Sequence, residues 1–130
     1  MPALDIADDT FLVVPAEVLA ATFADQHSWR RFWPDLVLHV YADRGHKGLR
    51  WTVHGPLTGT MEVWLEPVLD GTVLHYFLRA DLAGSRRRVG SLRVRRERRR
   101  RQTAAKRLAL SLKAALEDGR PPGCPAVDVG

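Results

Sequence analysis

Two residue types in this chain carry chemistry of a definite kind: arginine, crowded into one stretch, and histidine, spread through the first 75 residues. Twelve of the 20 basic residues fall between Arg86 and Arg107, and guanidinium groups at that density are suited to phosphates and carboxylates. The five histidines, His27, His39, His46, His54 and His75, show neither an HxxxH spacing nor a cysteine partner, so neither a metal site nor a cofactor is expected. His54 and His75 are expected to meet across strands, where either imidazole would serve as a general acid or base. They are the catalytic candidates, and no complete catalytic constellation accompanies them.

The elements that position these groups must come from a single domain, because 130 residues and 14.6 kDa leave no room for separate lobes. At 45% apolar and 27% charged residues, such a chain folds around its own core without disulfides or metals. A lone cysteine, Cys124, excludes a disulfide framework and points to a reducing, cytoplasmic setting. The longest mostly apolar stretch, Phe11 to Ala24, is interrupted by Pro15 and Glu17, so any membrane contact is expected to be peripheral, at the inner face. Charge divides sharply along the chain. Residues 1–84 hold six basic and eleven acidic side chains, net −5, whereas residues 85–130 hold fourteen and four, net +10. Such polarity suggests an anionic lipid surface or an acidic partner, with nucleic acid as an alternative.

Alternation from Leu4 to Val14 predicts a strand, bulged at Asp8 and Asp9. Pro15 opens a short helix, and Asp25 to Ser28 caps a second one that closes before Pro34. From Leu36 the period is two, predicting strands over Val37 to Ala42, Leu49 to His54, Met61 to Glu66 and Val73 to Leu82. Turns are expected at Asp43 to Gly48, Gly55 to Gly59 and Asp70-Gly71. Beyond Gly84 a helical stripe of Ala105, Leu108, Leu112 and Leu116 predicts one long helix, starting near Val94. The fold class is therefore α+β: an antiparallel meander of about five strands gripping a long C-terminal helix, with two short helices after the first strand. Residues 1–118 form the domain, and residues 119–130 are a flexible tail rich in proline and glycine.

Thr10 to Val18, Trp29 to Pro34, Leu49-Arg-Trp-Thr, Gly59-Thr-Met-Glu-Val-Trp-Leu-Glu-Pro and Asp70-Gly-Thr-Val-Leu-His-Tyr resemble segments of the START-like (SRPBCC) helix-grip superfamily. That group includes small bacterial polyketide cyclase/dehydrase and lipid-transport proteins and the Bet v 1 allergens. The usual pattern has one hairpin more, so the sheet is shortened. The resemblance implies a small hydrophobic or amphipathic ligand held between sheet and helix, by a non-catalytic carrier or sensor. Trp33, Trp51, Tyr76, Leu108 and Leu112 would line the ligand space, with Arg98 and Arg101 at its mouth for an anionic group. Arg95, Arg96, Arg99, Arg100, Lys106 and Arg107 would face an anionic surface. A polyketide cyclase or dehydratase using His54 or His75 is one alternative, and an RNA- or ribosome-associated basic module is another. A second copy, pairing the exposed edge of the shortened sheet, would make a homodimer.

Overall fold

In a computed structural model of the chain, residues 2–82 and 90–117 are described. Arg86, Cys124 and the tail expected over 119–130 lie outside them. Strand β1 (Leu4–Leu12) leads through Pro15 into α1 (Ala16–Ala24), and α2 (Gln26–Phe32) follows directly. Proline at the N-cap supplies the fixed backbone angle a helix start needs, and the Asp25 side chain caps α2 by accepting from the His27 amide. The meander comprises β2 (Val37–Asp43), β3 (Gly48–His54), β4 (Leu57–Val68) and β5 (Gly71–Leu82), and α3 (Ser91–Leu116) completes the described chain. The five strands form one antiparallel sheet in the order β1-β5-β4-β3-β2. The architecture is the α+β grip that the periodicities predict.

Two local readings are corrected. Asp8 and Asp9 sit in an unbroken register with β5, so no bulge separates them; Asp8 turns inward and Asp9 outward. The bulge falls instead in β2, between Val40 and Ala42. Gly59 does not break a strand but lies within β4 opposite Ala80, where a Cβ would run into the Arg79 carbonyl. Glycine is what lets β4 and β5 close up there.

Alternation sends Leu4, Ile6, Leu49, Trp51, Val53, Met61, Val63, Leu74, Tyr76 and Leu78 to one face, all buried. Helix α3 covers the β1 side of this face with Ala105, Ala109 and Leu112. It also closes the free edge of β1. Arg98, Gln102, Lys106 and Lys113 donate to the carbonyls of Ala3, Ala7, Asp9 and Phe11 at 3.2, 3.0, 3.1 and 2.9 Å. Donors four or seven residues apart share one side of a helix, and alternate carbonyls share one side of a strand, so the two rows match.

The β4–β5 turn carries strain. Leu69, 97% exposed, has φ at 54°, a region that disfavours a side chain. Leu69→Gly is expected to raise stability by about 1 kcal/mol, read as a shift of the urea midpoint at constant slope.

Candidate functional site

The space beneath α3 is filled by rings. Trp33, carried just past α2, stacks on Tyr76 of β5 with centroids 6.2 Å apart and planes at 12°, and also meets Trp51 of β3 at 5.6 Å. Phe23 and Trp29 complete the cluster against Trp33 and Trp51. The enclosed space left among Asp8, Phe23, Val63, Leu74, Tyr76, Ala105, Leu108 and Ala109 is about 10 Å³. That is the room of a single water, whereas small-molecule sites run to ~300 Å³ and more. Burial pushes the Tyr76 phenol up, and its hydroxyl donates to the Met61 sulfur at 3.3 Å. The Trp51 Nε1 is buried without an acceptor among the described residues.

Arg101 enters this layer as its spacing requires and is 7% exposed. Its charge is fully met. Nη1 and Nη2 donate to Asp35 at 3.1 and 2.6 Å, and Nε donates to Glu97 at 2.9 Å. The fork geometry suits guanidinium and carboxylate, and the Glu97 pair is an i,i+4 helix pair. Burial pushes the Asp35 carboxyl up, but the hydrogen bond and charge of Arg101 outweigh this and hold it below its ordinary value. For Arg101, burial works against the charge, and the bonds from Asp35 and Glu97 more than restore it. Arg98 reaches the β1 edge rather than the mouth of the grip.

Outside the ring layer, α2 and α3 flank an open groove of about 740 Å³. Its floor is Phe32, Ala104 and Leu108, and its walls carry Arg31, Arg96, Arg99, Arg100 and Arg107. Leu108 lines both this groove and the small enclosed space, so the two meet at its side chain. Arg100 is held loosely by Glu97 and Asp35 at 3.2 and 3.3 Å. Among the described residues, no hydrogen bond or ion pair joins the guanidinium group of Arg96, Arg99 or Arg107 to anything. Arg95 is exposed on α3 outside the groove. Lys106 is elsewhere, bound to Asp8, the Asp9 carbonyl and Thr10 at the β1 edge.

His54 and His75 do not meet, because β4 lies between their strands. Both point to the outer face of the sheet. His54 lies beside His39, with centroids 6.0 Å apart. His75 stacks on Trp64 at 4.2 Å, and its Nδ1 and Nε2 lie 2.6 and 3.0 Å from Asp9 and Glu66. Neither imidazole reaches the space under α3. Among the described residues no cluster of His, Cys, Asp and Glu could hold a metal ion, and no helix is long and apolar enough to cross a membrane.

The grip geometry recurs in solved structures. A START superfamily protein from Mycobacterium smegmatis superposes with a TM-score of 0.68 at 12% identity, over 88% of this chain and 97% of that one. The chain has the START-like helix-grip fold. The Aha1 dimer of Colwellia psychrerythraea gives 0.64 at 15% identity, over 91% and 99% of the two chains. The di-domain ARO/CYC StfQ of the steffimycin biosynthetic pathway gives 0.63 at 16%, over 88% of this chain and 50% of the larger protein. No family model and no curated protein sequence matches.

Sequence alone does not mark Asp35 and Glu97, nor the groove residues Arg31, Thr103, Ala104 and Ser111. Glu97, four residues before a buried arginine, was the available signal; Asp35 is 66 residues away in the chain and gave none.

Arg101→Met is expected to cost about 2 kcal/mol, less than the 3–5 of a fully enclosed pair because Asp35 keeps part of its surface in water. A lowered carboxyl pKa stabilises the fold above the ordinary value of 3.8 and loses that contribution as pH falls through the lower folded value. The stability difference between wild type and Arg101→Met should therefore narrow on acidification below that value, measured by urea unfolding across pH.

Proposed function

We propose that this helix-grip protein is a non-catalytic binding protein for an anionic amphiphile, a single apolar chain bearing a phosphate or carboxylate. It receives the ligand in the groove between α2 and α3. The observation that carries the reading is the pairing of an apolar floor, Phe32, Ala104 and Leu108, with the guanidinium groups of Arg96, Arg99 and Arg107, which no carboxylate among the described residues occupies. Arg96, Arg99 and Arg107 would hold the anionic head by charge-assisted hydrogen bonds, and the chain would lie along the floor. The carrier or sensor role expected from the resemblance is kept, and the ligand moves from the inside of the grip to its outer shoulder. A cyclase or dehydratase reading finds no support in the positions of His54 and His75.

One observation favours a second reading, in which the apolar end passes inward. Leu108 lines both the groove and the small interior space, and the buried Trp51 Nε1 offers a donor that nothing among the described residues accepts. A ligand with an acceptor part-way along its chain would satisfy it after Leu108 and Phe32 swing aside.

Titration calorimetry with dodecyl phosphate, dodecanol and inorganic phosphate tests the reading. Dodecyl phosphate should bind at least about tenfold more tightly than either half alone, and Arg99→Ser with Arg107→Ser should remove about that factor. Equal affinity for dodecanol, or an unaffected double variant, would contradict it. Binding confined to anionic vesicles would move the site to a membrane surface, and salt-sensitive binding to RNA in place of dodecyl phosphate would favour the nucleic-acid alternative.

A further inference from the structure

The two edges of the sheet are treated differently. The β1 edge is closed along its length by Arg98, Gln102, Lys106 and Lys113 of α3. At the opposite edge, β2 pairs only with β3 among the described residues. Exposed edges are usually blunted by charge, proline or cover, because their free amides and carbonyls template further pairing. Within β2 the sequence Val37-Leu-His-Val-Tyr-Ala-Asp carries no lysine, arginine or proline, and its single charge stands at the last position. Of the seven large apolar side chains exposed among the described residues, three lie here: Val37 at 53%, Val40 at 40% and Tyr41 at 55%. No other element concentrates them.

We infer that β2 pairs antiparallel with β2 of a second copy, joining two five-stranded sheets into one across a two-fold axis. Pairing of a strand with itself requires opposed residues to share a face, and a register centred on His39 meets this on both faces. Leu38 then opposes Val40 of the other copy toward the ring layer, where Leu38 already packs on the core. Val37 opposes Tyr41 on the outer side, and His39 opposes its own counterpart. The bulge between Val40 and Ala42 bends the strand and ends the pairing there. Past it, Asp43 comes toward Asp35 of the other copy, whose carboxylate Arg101 already holds. Such an interface is small for a stable complex, so the dimer should dissociate in the micromolar range.

Sedimentation velocity over a concentration series should show a reversible monomer–dimer equilibrium. Val40→Lys should weaken it at least about a hundredfold, since each copy then brings an ammonium into the apolar seam. Leu69→Lys, changing an exposed leucine in the β4–β5 turn, should leave it unaltered. Circular dichroism distinguishes dissociation from unfolding. The register has its own readout: His39→Cys on a Cys124→Ser background should form an interchain disulfide on mild oxidation, because opposed Cα atoms in antiparallel pairs are ~4.5–5.5 Å apart. A monomer throughout the series, a dimer indifferent to Val40→Lys, or a His39→Cys protein that stays uncrosslinked while dimeric would overturn the assignment.

Discussion

Arg101 brings a guanidinium into the layer between α3 and the sheet, and its two carboxylates decide where three segments of the chain meet. Asp35 stands between α2 and β2, and Glu97 lies one turn earlier on α3, so the one side chain fixes the helix against the corner from which the meander departs. A guanidinium at that depth without both partners would carry an uncompensated charge, and α3 would have to lift away. With α3 held there, Leu108 lies over the ring layer and the neighbouring arginines line the groove beside α2.

The same helix divides its charges by direction. Toward β1, Arg98, Gln102, Lys106 and Lys113 spend their donors on strand carbonyls; toward α2, the guanidinium groups of Arg96, Arg99 and Arg107 meet no acceptor among the described residues. The first set is structural and closes an edge. The second leaves a concentrated positive field over an apolar floor, which attracts anions at long range and weakens as salt screens it. Inside, Trp33, Trp51, Tyr76 and Phe23 fill the space between sheet and helix, which leaves only about 10 Å³ among Asp8, Phe23, Tyr76, Leu108 and their neighbours.

Much of this fold was legible because it rests on local periodicity. The alternation in Leu49 to His54 and in β5, the Pro15 helix start and the Ala105–Leu112 stripe each predict their element from neighbouring residues alone. Arg101 stands four residues before Ala105 of that stripe, so helical spacing carries its inward turn as well. What fills the grip was not, since whether Trp33 lines a cavity or plugs it depends on Tyr76, 43 positions further along the chain. The fate of the arginines was hidden for the same reason: Arg98 and Arg100 look alike in sequence, and only the nearness of the Ala3 carbonyl to one and of Asp35 to the other separates their roles. Gly59 misled because a glycine inside a strand and a glycine in a turn share one signal, and the close approach of Arg79 is non-local.

The proposed binding surface is the arginine-walled groove, with the rings beneath it acting as core. Chemical-shift mapping on isotopically labelled protein titrated with dodecyl phosphate tests it most directly. The account predicts shifts at Phe32, Arg99, Ala104 and Leu108, with the Trp51 indole N–H resonance unmoved. A large shift of that indole together with Tyr76, and little change along the outer side of α3, would contradict it and place the ligand within the grip.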